Sequence, residues 1–201
     1  MDADTLDRDR VRVLLDRYGV VFRELLEREI APLKWSALFR TLRVMELSGE
    51  VIGGRFFEGV RGLQFIAKDA LPLLDRRPDP PPVFFLNAKD PASLCGVKIE
   101  GLSLPPRVQG THLVYCGEDL VLVSKRNGKN LTFLREPDDP RLTDFLALFH
   151  MMLCRNEHPA ARISIEKIND RRAWKSPYRA AFDQRFDTYA DFGSLQIERR
   201  Y

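Results

Sequence analysis

The residues of this 201-residue sequence best suited to chemistry are cations set on one side of a periodic stretch. Between residues 34 and 47, Trp35, Leu38, Phe39, Leu42 and Met45 recur at intervals of three and four, the spacing of one helix face. Ser36, Ala37, Arg40, Thr41 and Val44 fall opposite, with Arg43 at the margin. A small, hydroxylated and basic surface suits contacts with phosphate oxygens and with base edges in a major groove. It equally suits a solvated helix face, since two arginines on one helix are common. Further cations gather in three places. Arg55 and Arg61 flank a glycine-containing segment; Lys125, Arg126 and Lys129 crowd a turn with Asn130; and Arg171-Arg-Ala-Trp-Lys175 sets Trp174 among positive charges. Such groups can hold a backbone phosphate while the indole stacks on an unpaired base. A solvated turn, and a tryptophan that anchors its loop to the core, are the alternatives.

Other chemistries find no support. There is no Gly-x-x-x-x-Gly-Lys-Ser/Thr loop to cradle a triphosphate. His112, His150 and His158 show no metal-ligand spacing with one another or with Cys95, Cys116 and Cys154, so neither a metal nor a cofactor is expected. His150 lies in an apolar run and reads as a core residue. An odd number of distant cysteines fits a reducing compartment, hence a cytoplasmic protein. No apolar run approaches the roughly 18–20 residues that span a bilayer, so no membrane partner is expected. The net charge is only +3, and residues 1–80 carry 14 basic and 14 acidic side chains. Any polyanion must therefore be met by local clustering.

The elements that must position these residues follow from pattern. Apolar residues between Leu6 and Tyr18 predict a helix closed by Gly19, and Val21, Phe22, Leu25, Leu26 and Ile30 predict a second over residues 20–30. Pro32 breaks it; the third helix runs from about residue 34 to 47 and stops at Ser48-Gly49. Residues 50–57 and 63–67 form a hairpin around Glu58-Gly-Val-Arg-Gly62, and residues 69–74 a short closing helix. Three helices followed by a hairpin is the order of a winged helix, a module that holds nucleic acid and sometimes protein. Residues 78–83, Pro-Asp-Pro-Pro-Pro-Val, form a stiff linker. The domains are thus 1–77 and 84–201, and the fold class is α+β. The second domain alternates strands and turns as an antiparallel, barrel-like meander. It also holds an almost wholly apolar helix over residues 140–154, a strand over 163–168, a helix over 176–184 and a final strand over 194–199.

Several of these segments resemble the C-terminal region of the bacterial large helicase-related (Lhr) proteins. They include Tyr18-Gly-Val-Val-Phe-Arg-Glu-Leu-Leu-Glu-Arg28, Trp35-Ser-Ala-Leu-Phe-Arg40, Arg43-Val-Met-Glu-Leu47, Gly49-Glu-Val-Ile-Gly-Gly-Arg-Phe56 and Gly59-Val-Arg-Gly-Leu-Gln-Phe65, with Asp90-Pro91, Gly96, Ser176-Pro177 and Leu195-Gln-Ile197 beyond the linker. The resemblance implies a DNA-binding piece of a DNA-repair helicase, unable to use ATP by itself because no ATPase motif occurs in it. Its partners would be DNA, single strands included, and the helicase core upstream. It implies two alternatives as well, a structural module docking on that core and a base-excising glycosylase. In related glycosylases a Gln-x-Gln or Gln-x-Asp pair activates water; here Gln196-Ile-Glu198 has a similar shape, with Glu198 as the conceivable base.

Overall fold

Val11, Leu14 and Leu15 form the buried stripe of α1 (Ala3–Tyr18), and Gly19, at φ 71°, ends it by donating its amide to Leu15 O at 2.7 Å. In the computed structural model, which describes residues 2–200, the chain does not at once re-enter a helix. Val20–Val21 form a short strand, β1, and only Arg23–Leu26 are helical (α2). The helix expected over residues 20–30 is shortened because two β-branched residues find antiparallel partners, Val20 opposite Ile66 and Val21 opposite Phe65. A turn of 3-10 helix at Ala31–Leu33 carries Pro32 and leads into α3 (Trp35–Leu47). Here Gly49 takes φ 76°, its amide donates to Glu46 O, and Glu50 donates to Met45 O, both at 3.0 Å. This paired closure satisfies two of the orphan carbonyls at the end of α3 and turns the chain into the hairpin.

The hairpin strands are β2 (Val51–Gly54) and β3 (Gln64–Ala67), in a three-stranded sheet of order β1-β3-β2. Leu14, Leu25, Leu26, Leu38, Leu42, Met45 and Phe65 close the core beneath it. The helix expected over residues 69–74 is a 3-10 stretch, Lys68–Leu73, with Pro72 inside it. Contacts group residues up to Arg76 with Leu94–Pro106 as one unit. The proline linker alone would place the latter segment in the second domain. Leu94, Val97 and Ile99 draw it back by packing against the first core, and Glu100 donates its amide to Gly59 O at 3.1 Å.

The second unit comprises Arg77–Ser93 and the chain from Arg107 onward. β4 (Val83–Asn87), β5 (His112–Cys116), β6 (Asp119–Lys125) and β7 (Asn130–Phe133) form the antiparallel meander. The apolar run that follows is two helices, α4 (Leu142–Phe145) and α5 (Ala147–Cys154), broken at Leu146. Leu142, Phe145, Leu148 and Phe149 are buried, but His150 is exposed, with Nδ1 3.8 Å from Cys154 Sγ. The expectation of a core histidine is corrected: α5 keeps one side in solvent, and His150 and Cys154, four residues apart, share it.

The strand expected over residues 163–168 divides into β8 (Ile163–Ile165) and β9 (Lys167–Ile168). The amides of Glu166 and Lys167 both turn to Lys129 O, so β9 lies parallel to β7 while β8 pairs with the last strand. β10 (Arg171–Arg172) completes a six-stranded sheet of order β10-β9-β7-β6-β5-β4, which does not close into a barrel. After α6 (Arg179–Arg185), β11 (Phe186–Asp191) and β12 (Ser194–Arg199) form a second sheet with β8. Phe133, Phe149, Phe182, Phe186, Ile163 and Ile197 lie in the core of this unit.

Candidate nucleic-acid interface

α3 divides cleanly between interior and solvent. Leu38, Leu42 and Met45 are buried, whereas Ser36, Ala37, Arg40, Arg43 and Val44 are exposed and Thr41 is half-buried. Phe39, expected in the core, is 40% exposed and instead joins Trp35 and Phe65 in an aromatic cluster with ring centroids 5.2–6.4 Å apart. Arg40 makes no ion pair among the described residues, while Arg43 pairs with Glu46 one turn on. The same outward side carries apolar surface too, with Leu47 85% exposed.

The wing is shaped by a residue whose role spacing did not reveal. Gln64, on β3, is wholly buried, and its carboxamide stands in for a missing strand. Oε1 accepts from the amides of Phe56 and Phe57 at 3.0 and 2.9 Å, and Nε2 donates to Phe57 O at 3.0 Å. Its only sequence signal is an amide within an otherwise apolar strand. The chain leaving β2 is thereby bent so that Arg55 is exposed, with no ion pair among the described residues. At the tip Gly59 takes φ 75°, and an added Cβ there would lie 2.0 Å from Glu100 O. Arg61, from the same tip, donates Nη2 to Glu100 Oε2 at 3.0 Å. Of the four arginines singled out in this unit, Arg43 and Arg61 are thus neutralised and Arg40 and Arg55 remain available.

In the second unit the basic turn at Arg126-Asn-Gly-Lys129 carries positive φ at Arg126, Asn127 and Gly128. Arg126 and Lys129 both pair with Glu166, at 3.2 and 3.3 Å, leaving Lys125 exposed and outside any ion pair among the described residues. Trp174 follows Ala173, whose amide donates to the Glu166 carbonyl oxygen at 3.1 Å. Its indole is half-buried, with Nε1 unpartnered and the Lys175 ammonium 4.7 Å from the ring centroid. The turn and the tryptophan therefore share one neighbourhood, with Glu166 at its centre. Glu198 stands elsewhere, on β12, accepting from the Tyr189 hydroxyl at 2.7 Å. Gln196 beside it is buried and donates Nε2 to Ser164 and Ser194, each at 2.9 Å.

Helices packed on a three-stranded sheet, an outward-facing α3 and a pinned wing define a winged-helix unit, joined in one chain to an α+β unit built on largely antiparallel sheets. Residues 1–82 match the family model of the large helicase-related protein winged-helix domain. A relative in Escherichia coli (strain K12), the Lhr helicase/uracil glycosylase, is 27% identical over 170 residues. That similarity covers 78% of this chain but 11% of the relative's length. The resemblance seen in the segments from Tyr18 to Phe65 is borne out, and with it the tie to a helicase-associated module.

Proposed function

We propose that the chain is a DNA-holding module of a helicase-related protein, with α3 set against a groove and the wing against the adjoining backbone. The observation that carries this reading is the exposed side of α3, where Arg40 projects beside Ser36 and Ala37 without an ion pair among the described residues. The ion pairs of Arg43 and Arg61 do not bar the reading. Exposed pairs of this kind are worth roughly 0–1 kcal/mol, so a phosphate can displace their carboxylates at little cost.

Titrating the full chain into a fluorescently labelled duplex, and following anisotropy over a range of salt, tests the interface. Arg40→Ala with Arg55→Ala is expected to weaken binding about tenfold at low salt and to reduce the log–log salt slope by about two. Glu100→Gln is expected to act in the opposite sense, tightening binding a few-fold by releasing Arg61. Unchanged affinity and slope in the double variant would remove α3 and the wing as the contact.

A second reading draws on Leu47 and Val44, which are 85% and 41% exposed on α3. An apolar outward stripe suits docking on another part of a larger helicase, and the chain matches only 11% of its relative's length. On that reading Leu47→Asp abolishes association with a separately produced helicase core while the arginine variants bind it normally. Uracil glycosylase activity, printed in the relative's name, would fall to Glu198, whose carboxylate accepts from Tyr189.

A further inference from the structure

A cleft of about 430 Å³ opens in the second unit among the ends of β4 and β5, the β6–β7 turn and the last turn of α5. Arg155 and Arg162 line it, with Met151 and Met152 on the α5 side and no carboxylate in its lining. Asp191 and Glu198 act on Arg162 from β11 and β12 without entering the cleft. Tyr189 also bonds that guanidinium and holds its pKa above the ordinary value.

The imidazole of His112 is fixed in one protonation state by its neighbours. Asn87 receives the Lys89 amide on Oδ1 at 2.8 Å, which orients its carboxamide. Its Nδ2 then has one hydrogen for Gln109 O, at 2.7 Å, and one for His112 Nε2, at 3.1 Å. His112 Nε2 is therefore an acceptor, and the ring proton sits on Nδ1. Burial, and after it the charge of Arg155, pushes the His112 pKa down, so the ring is neutral at physiological pH. Its Nδ1–H is buried without a partner.

We propose that this cleft binds a nucleotide unit, its base against Met151 and Met152 and its phosphate between Arg155 and Arg162. Each part follows from chemistry on hand. Thioethers pack well on polarisable aromatic rings, and guanidiniums match phosphate oxygens. The volume lies in the range of small-molecule sites, roughly 300–1,000 Å³. The site is independent of α3 and the wing, so it stands or falls apart from the groove reading.

The test is methyl NMR of the full chain carrying ¹³C-methyl methionine, with thymidine 5′-monophosphate, thymidine, inorganic phosphate and a pentathymidylate as probes. The monophosphate is expected to shift the Met151 and Met152 methyls and to leave Met45, buried in the first unit, unmoved. Thymidine should bind at least about tenfold more weakly, and Arg155→Gln with Arg162→Gln should erase that difference. Both arginines are exposed, and unchanged methyl positions without ligand confirm that the variant folds. Tighter binding of the pentathymidylate than of the monophosphate identifies a strand as the source, and equal or weaker binding a free nucleotide. Methyls unmoved by millimolar monophosphate, moved equally by phosphate alone, or indifferent to the arginine substitutions would overturn the proposal.

Discussion

Gln64→Leu is expected to destabilise the first unit by about 2–4 kcal/mol and to weaken DNA binding with it. The size follows from what the side chain touches. Three hydrogen bonds of 2.9–3.0 Å tie its carboxamide to the backbone of Phe56 and Phe57, and the residue is fully buried. Leucine keeps the bulk and removes all three, and the freed amides must then find water by opening the wing. A net value of about 1 kcal/mol for each bond, with some penalty for groups left unmet, gives the range. Urea unfolding followed by Trp35 fluorescence in a Trp174→Phe background reads the first unit by itself. The expected result is an earlier transition in the Leu variant, accompanied by lower DNA affinity because Arg55 and Arg61 lose their placement. A midpoint equal to that of the parent would mean that the wing holds its shape without the clamp.

The clamp also shows which parts of the molecule can be read from spacing. α3 was legible because its periodicity, its glycine stop and its arginines all lie within one short stretch, and local order is written locally. β1 was not, because Val20 and Val21 continue an apolar pattern that a helix would also use; only their partners Ile66 and Phe65 decide the matter. β11 was hidden similarly: its Asp187, Thr188 and Tyr189 follow α6 with no turn residue between them. The interface residues divide along the same line. The Arg43–Glu46 pair sits three positions apart on one helix and could have been foreseen. Arg61 with Glu100, and Arg126 with Glu166, are separated by 39 and 40 residues, so the charge that each arginine offers depends on the folded chain. Counting cations in a sequence overstates what a phosphate would meet.

Gly59→Ala is the substitution expected to separate stability from DNA affinity. Gly59 holds φ 75°, a conformation that costs a residue with a Cβ roughly 1–2 kcal/mol. The new methyl would also lie 2.0 Å from Glu100 O, which no rotamer can relieve because both atoms are fixed to backbone. Glu100 must withdraw, giving up its 3.1 Å amide bond to Gly59 O and loosening the segment whose Leu94, Val97 and Ile99 cover the first core. Together these losses come to about 2–4 kcal/mol, visible in the same Trp35 unfolding curve as for Gln64→Leu. The effect on DNA should run the other way. Withdrawal of Glu100 takes a carboxylate from Arg61 while the Gln64 clamp keeps the wing bent, so affinity holds or rises a few-fold at low salt, as for Glu100→Gln. Gln64→Leu lowers both quantities; Gly59→Ala should lower only stability. Parallel losses in both variants would show that Glu100 supports the wing rather than competing with phosphate for Arg61.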